Sequence, residues 1–215
     1  MKELHRLIVT STVYRQSSTI RSEDVRAQKV DQENRLLWRM NRRKLEAEAI
    51  RDAALMVSGR LSAEMYGPAF QDFVIEKPEH SPHYQYHLHN HDDPRSDRRS
   101  IYRFIVRSQQ QPFMTALDCA DPSIAVEKRN ESLSALQALA LLNNGFMISM
   151  SKSFAARVTK EAETIEAQVE RAYQLALGRM PNDSERKHLK ELAREHGMTN
   201  ACRLILNLNE FAFAD

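Results

Sequence analysis

After Pro122 the sequence is a succession of helical patterns, and this half of the chain constrains the fold most. Leu133 to Leu142 is apolar almost all round, which predicts a helix buried in the core. A second helix is predicted from Phe146 to Val158, because its large apolar residues fall on one face: Met147, Met150, Phe154 and Val158. We therefore expect residues 123–215 to form a helical C-terminal half.

Three further helices complete this half. Ile165 to Leu177 carries apolar residues at three- and four-residue steps, and Gly178 is placed to end the helix. Another helix is expected to begin at Pro181–Asp183, where capping side chains follow a proline, and to end at His196. The last predicted helix spans Asn200 to Asn209.

The N-terminal part contains two helical patterns. Leu4, Leu7 and Ile8 fit one stripe of a short amphipathic helix. Arg42 to Ser58 combines good helix formers with apolar residues at helical spacing, and Gly59 follows where a helix stop is expected. Both segments are therefore predicted to be helical.

Residues 61–97 break this periodicity, because prolines punctuate them and few apolar residues cluster there. We expect a loop-rich excursion followed by a strand from Ser100 to Val106, which would pair with Phe73 to Glu76. The predicted fold is mainly α: a helical bundle with a minor β element around Ile101 to Val106 and a His-rich loop excursion. We expect a single domain over residues 1–215.

The excursion holds five of the eight histidines, followed by Asp92 and Asp93. Imidazole and carboxylate groups are ligands for Zn, Cu or Ni, so the segment is a candidate site for a divalent transition metal. The spacing matches no standard closed zinc site, and a solvated polar loop or adventitious metal binding are the alternatives. The candidate ligands are His80, His83, His87, His89 and His91.

Two basic runs are candidate anion sites. Asn41 to Lys44 lies at the start of the predicted helix, where we expect structural ion pairs with acidic residues such as Asp31 or Glu33. Asp93 to Ser100 flanks the predicted strand and could hold a phosphate or sulfate, although Asp93 and Asp97 favour neutralisation within the run.

The remaining signals favour structural roles. Trp38, the only tryptophan, lies among apolar residues and is predicted to anchor the core. Cys119 and Cys202 are expected to be buried free thiols, with a disulfide between them as the alternative. Ser132 and Ser134 are expected to cap the core helix. The sequence contains no P-loop, GxGxxG, GxSxG or CxxCH motif, so no catalytic residue is predicted.

Charge and hydropathy limit the partners that we expect. The net charge of +2 arises from 31 basic and 29 acidic residues, which gives no argument for nucleic acid. No segment approaches the roughly 20 apolar residues of a membrane-spanning helix. The N-terminus has an apolar patch of only three residues, and we do not expect a signal peptide.

Seven segments resemble the family called domain of unknown function 1553, the C-terminal domain of large planctomycete proteins. They lie in the family's order along nearly the whole chain: HRLIVTSTVYRQSS, NRLLWRMNRRKLEAEAIRDAAL, RRSIYRFIVRSQ, LDCADPS, KRNESLSALQALALLNN, RAYQLALGRMP and LNLNEFAFAD. The resemblance implies no established activity and no residue roles. It implies an exported protein, in the periplasm or envelope, often associated with a c-type cytochrome module. It also implies that this chain starts within the family's opening helix, as a fragment or split gene would.

Two hypotheses follow for the function. The chain is either a non-enzymatic interaction or scaffolding module that binds a protein partner or an upstream domain, or a metal-binding or redox-associated domain built on the five histidines. The first is favoured, because no coherent catalytic set is present.

Overall fold

The computed structural model describes residues 1–76 and 82–214. Helices predominate in these residues, which confirms the mainly α fold. The α-helices are α1 (Lys2–Thr10), α2 (Val25–Val30), α3 (Ala47–Ser58), α4 (Pro112–Ala116), α5 (Ala135–Asn143), α6 (Gly145–Glu161), α7 (Ile165–Leu177), α8 (Asp183–His196), α9 (Met198–Leu206) and α10 (Asn209–Ala212). The strands are β1 (Arg43–Lys44), β2 (Val74–Glu76), β3 (His83–Gln85) and β4 (Phe213–Ala214).

Contacts divide the chain into two compact units. Unit 1 comprises Met1–Leu45 with the C-terminal end from Phe213, and unit 2 comprises Glu46–Ala212. The single domain expected over residues 1–215 stays a prediction.

Unit 1 contains α1, α2 and the antiparallel pair β1–β4, in which Arg43 lies opposite Ala214 and Lys44 opposite Phe213. The helix predicted from Arg42 is therefore wrong at its start, since α3 begins only at Ala47. The sequence could not show this, because pairing with the C-terminal end holds these two residues extended. The basic run from Asn41 to Lys44, which was predicted to lie at the start of this helix, therefore does not begin a helix.

Local hydrogen bonds shape the rest of unit 1. The carboxylate of Asp31 accepts the backbone N–H groups of Arg35 and Leu36, at 2.9 and 2.7 Å. The indole N–H of Trp38 donates to the backbone carbonyl of Asp31 at 2.9 Å. Trp38 is only partly buried, so its predicted place in a core is wrong. Its indole is instead hydrogen-bonded to the backbone of the polar turn at Asp31.

The core of unit 2 surrounds α6, which packs against α3, α5, α7 and α9. The predicted apolar stripe of α6 is confirmed, since its four side chains are fully buried: Met147, Met150, Phe154 and Val158. Burial of side chains of this size contributes about 1.5–3 kcal/mol each relative to exposure. The stripe is thus the main apolar contribution of α6 to the fold.

The predicted ends of the helices in unit 2 are confirmed where side chains cap them. Asn144 accepts the N–H of Phe146 at 2.9 Å and separates α5 from α6. Asn182 and Glu185 form a reciprocal capping box at the start of α8. Gly178 ends α7 with a φ of 70°, a conformation that side chains with a Cβ rarely adopt.

The strand predicted from Ser100 to Val106 is wrong. Ser100–Tyr102 forms a 3₁₀ turn, and only a single bridge joins Arg103 to Phe70. The predicted strand near Phe73 does exist as β2, but it pairs with β3 from the His-rich segment. The alternating pattern misled because Ser100 turns inward to Asp52 while Ile101 is left 75% exposed.

The prediction of α5 as a core helix is also wrong, although the helix itself is present. Only Gln137 and Leu141 are buried in it. Leu136 is 73% exposed and Leu139 is 52% exposed, and Leu133, just before the helix, is 74% exposed. A helix that is apolar on every side has no polar face for solvent, so its sequence alone could not show which side the fold would cover.

A buried arginine on α3 holds the irregular segment 96–100 against the helix. The guanidinium of Arg51 donates to the carbonyls of Ser96 and Arg98 at 2.5 and 2.9 Å, and to the hydroxyl of Ser100 at 3.3 Å. Its neighbour Asp52 accepts the N–H and the hydroxyl of Ser100, both at 2.7 Å. Side chains of α3 thus supply hydrogen bonds to this segment in place of the backbone hydrogen bonds of a β-ladder.

Two aromatic rings complete the surroundings of Arg51. Its guanidinium carbon lies 4.9 Å from the ring centre of Phe70 and 5.3 Å from that of Phe146. Arg51 is 5% exposed, and burial lowers the pKa of its guanidinium. The planar cation both donates to three acceptors and stacks on apolar rings, which a lysine would not do.

We expect Arg51→Met to lower the free energy of unfolding of unit 2 by about 3 kcal/mol or more, because buried carbonyl acceptors lose their charged donor. Urea unfolding followed by far-UV circular dichroism measures it. Arg99→Met, at an exposed position in the same segment, should change stability by less than ~0.5 kcal/mol. Equal effects of the two variants would contradict a structural role for Arg51.

Candidate functional site

The structure separates the five candidate histidines. His80 lies outside the described residues. His83 is exposed in β3, and His87 is exposed in the 3₁₀ turn Tyr86–Leu88. Because this turn interrupts the extended backbone, the alternation that would place His87, His89 and His91 on one face is lost.

His89 and His91 are brought together. Their ring centres lie 5.4 Å apart in an edge-to-face arrangement, and His91 also lies 6.3 Å from the ring of Phe146. Burial lowers the pKa of both imidazoles, so both are neutral at pH 7. Gly145 permits the close approach, since a Cβ there would lie 2.9 Å from Cδ2 of His91.

The carboxylates beside this pair already have partners. Asp92 accepts the hydroxyl of Ser149 at 2.5 Å and lies 3.5 Å from Arg60. Asp93 pairs with Arg95 at 2.6 Å, and these hydrogen bonds lower the pKa of Asp93 to about 2. Among the described residues no group of three or more His, Cys, Asp or Glu side chains is placed to hold a metal ion.

The second basic run is largely neutralised by its surroundings. Asp97 accepts two hydrogen bonds from Arg60, at 2.8 and 3.0 Å. Arg98 donates to the backbone carbonyls of Pro68 and Tyr66 and lies over the ring of Tyr102. Asp93 pairs with Arg95 inside the run, whereas Asp97 pairs with Arg60 outside it, so the predicted neutralisation within the run is confirmed for Asp93 and wrong for Asp97.

The sequence analysis missed a buried ion pair. Nη1 of Arg103 lies 3.8 Å from Oδ2 of Asp72, and both side chains are 9% exposed. The other oxygen of Asp72 has no hydrogen-bond partner in the described structure, and burial raises the pKa of this carboxyl. A charged residue between Phe70 and Phe73 was the only signal in the sequence. The nearby cavity, bounded by Arg103, is about 20 Å³, which holds no more than a water molecule.

Cys119 lies beside a carboxylate in unit 2. Its sulfur is 3.6 Å from Oε1 of Glu48, whose other oxygen accepts Arg129 at 2.6 Å. Burial, and after it the charge of Glu48, raise the pKa of the Cys119 thiol. Burial alone raises the pKa of Cys202 to about 12. Both cysteines are free as predicted, but only Cys202 is buried and Cys119 is partly exposed; neither is activated as a nucleophile.

The serines before α5 divide between two roles. Ser134 caps the helix by accepting the N–H of Gln137 at 3.3 Å, as predicted. Ser132 does not cap it, since its N–H and hydroxyl both donate to the carboxylate of Asp118 at 2.8 Å. The amide of Gln137 also donates to Asp118, at 2.9 Å. These bonds fix the start of α5, and with it the exposed leucines.

We name Leu133, Leu136 and Leu139 the α5 leucine surface. Leu136 and Leu139 are three residues apart and therefore share a side of the helix, and Leu133 precedes the cap. At the other end, Arg203 of α9 donates to the carbonyl of Leu142 at 2.6 Å. The surface is therefore held at both ends by hydrogen bonds while its apolar side chains face solvent.

The comparisons identify the family of this mainly α chain. A family model described as "Protein of unknown function (DUF1553)" matches residues 1–193, and the chain belongs to this family. Neither the curated proteins nor the solved structures contain a match. Within the described residues, every helix is too short or too polar to cross a membrane.

We expect Glu48→Gln to speed the reaction of Cys119 with a disulfide reagent at pH 8 by roughly three- to tenfold, because loss of the negative charge lowers the thiol pKa and raises the thiolate fraction. The rate of thionitrobenzoate release measures it, with buried Cys202 unreactive in the folded protein.

Arg129→Gln is the matched control, since it breaks the same ion pair but keeps the charge of Glu48. Loss of the arginine charge raises the thiol pKa, so the reaction should be slower. Faster reaction in both variants would instead indicate local opening and contradict the electrostatic explanation.

Proposed function

We propose that this chain is a non-enzymatic interaction module of a larger envelope protein or complex, and that the α5 leucine surface binds an apolar surface of a protein partner. The exposure of Leu133, Leu136 and Leu139 supports this most directly. Exposed apolar side chains that lie together mark interaction sites when the fold leaves them uncovered. The envelope setting is part of the proposal and comes from the family resemblance.

The chemistry of the surface indicates its partner. From Ser132 to Asn144 the sequence contains no charged residue, so the surface has no charge with which to select an ionic partner. Interface cores are depleted of charge and enriched in apolar side chains. The partner should therefore present aliphatic or aromatic side chains, with charged groups only at the rim.

Rigidity also supports an interaction role. The Ser134 cap, the bonds of Gln137 and Ser132 to Asp118, and the contact of Arg203 with Leu142 hold α5 in one position. An apolar surface that is already ordered loses little conformational entropy on binding, so more of its burial energy appears as affinity.

The chain with a photo-crosslinking amino acid in place of Leu136 is produced in cells of the source organism. On irradiation it should become covalently linked to one protein partner. The purified partner should then bind the Leu136→Gln, Leu139→Gln double variant at least roughly tenfold more weakly than the wild-type chain. The reason is that burial of each leucine in the interface contributes about 1–2 kcal/mol to the binding free energy. Isothermal titration calorimetry measures the affinity.

The control is Met56→Gln, because Met56 is an exposed apolar residue of α3, at 57%, outside this surface. It should leave the affinity unchanged. An unchanged affinity in the double variant would refute the proposal. So would crosslinking of the chain to itself with concentration-dependent sedimentation, which would assign the surface to a second copy.

A metal site is the second candidate function, and the neighbouring rings of His89 and His91 are the observation that favours it. The metal would be a divalent transition metal bound by imidazole. If this pair binds it, the metal-stripped chain should bind Zn²⁺, Cu²⁺ or Ni²⁺ at one equivalent in calorimetry. The double change His89→Gln, His91→Gln should abolish that binding.

The double change His83→Gln, His87→Gln is the control, since both imidazoles are exposed outside the pair. It should leave a specific site intact. Weak binding at several equivalents, lost in proportion to the number of histidines removed, would indicate adventitious binding and dismiss this candidate.

A further inference from the structure

Unit 1 contains a polar cleft of about 400 Å³, a size typical of sites for small molecules. Three arginines from separate parts of the unit line it: Arg15, Arg21 and Arg39. Asp24 is the one acidic residue among the described residues that line it. The lining therefore carries a formal excess of positive charge.

The arginines retain unused donors. The side chain of Arg15 makes no hydrogen bond or ion pair with any described residue. Arg21 pairs with Glu23 at 3.3 Å, but both side chains are at least 65% exposed, so water screens the pair. The guanidinium of Arg39 donates to the carbonyl of Met40 at 3.2 Å and lies 5.3 Å from the ring centre of Trp38, and its buried Nε has no hydrogen-bond partner in the described structure.

Asp24 does not neutralise the cleft, because its single negative charge faces three arginines and one of its oxygens is engaged by the backbone. It accepts the backbone N–H of Arg21 at 2.8 Å. The hydroxyls of Thr12 and Thr19 also line the cleft and make no hydrogen bond with the described residues. Guanidinium and hydroxyl donors are therefore available together on one concave surface, while the nearby carboxylate is engaged.

The charge of the segment reinforces this local excess. Residues 1–45 contain eleven Lys and Arg against five Asp and Glu, although the whole chain is near balance at +2. The summed field of such a segment attracts anions to a cleft within it.

We propose that the cleft binds the phosphate group of a phosphomonoester. Such a group carries about −1.5 to −2 charges and three acceptor oxygens at pH 7, and it suits several guanidinium groups better than a singly charged carboxylate does. Because the cleft is larger than a phosphate ion, the ligand also has an organic part. This part would lie toward Trp38 on the cleft wall. Soluble esters and lipid headgroups share this chemistry.

Fluorescence provides the test, since Trp38 is the only tryptophan and lines the cleft. Titration of the full chain with glucose 6-phosphate should change the Trp38 emission saturably. Glucose and glucuronate, which have the same pyranose ring but no phosphate, should bind at least roughly tenfold more weakly. Vesicles of phosphatidylcholine with and without phosphatidic acid form the second arm. Tighter binding to the phosphatidic acid vesicles would assign the site to a lipid headgroup.

Arg15→Gln should weaken binding at least roughly tenfold, because a charged hydrogen bond is lost from a side chain with no structural partner. Arg26→Gln is the matched control, since it removes one charge from an exposed residue of α2 outside the cleft lining. It should change binding less than about twofold. Thr19→Val tests the hydroxyl and should weaken binding without changing the charge.

Equal loss in Arg15→Gln and Arg26→Gln would overturn the proposal, because binding would then follow the net charge of the unit. Equal affinity for glucuronate and glucose 6-phosphate would also overturn it, as would no saturable change with the ester or with either vesicle.

Discussion

Arg51 links the helical and irregular parts of unit 2. Segment 96–100 forms only an isolated bridge, between Arg98 and Ser62, and it buries Ser96, Arg98 and Ser100, so the carbonyls outside that bridge need other donors. The guanidinium of Arg51 supplies them from a helix, between two phenylalanine rings.

Polar groups that already have partners can be distinguished from surfaces that remain available to a ligand. Asp92, Asp93 and Asp97 of the excursion are engaged by neighbouring side chains, and the cavity beside Arg103, the ion-pair partner of buried Asp72, is too small for a substrate. Among the features open to solvent in the described residues are the α5 leucine surface in unit 2 and the arginine cleft in unit 1. One is apolar and uncharged and the other polar and basic, so their ligands must differ in chemistry.

Much of the fold could be predicted because its signals are local. The ends of α7 and α8 follow from Gly178 and the Asn182 cap, and the buried side of α6 follows from its periodicity. The start of α3 and the partner of β2 could not be predicted, since both depend on residues distant in the sequence. Of the candidate site, the sequence indicated the histidines but not the pairing of His89 with His91, which requires Gly145 and Phe146 from α6.

The sequence by itself determined the helical class, the ends of α7 and α8 and the family, because these depend on periodicity, on single residues and on ordered motifs. Only the tertiary structure decided which apolar helix would be covered and which charges would be used. α5 has the most uniformly apolar sequence of the C-terminal half, yet Leu136 stays exposed, while Arg51 and Asp72 are buried. Burial depends on which elements pack together, and a side chain's own polarity does not specify that.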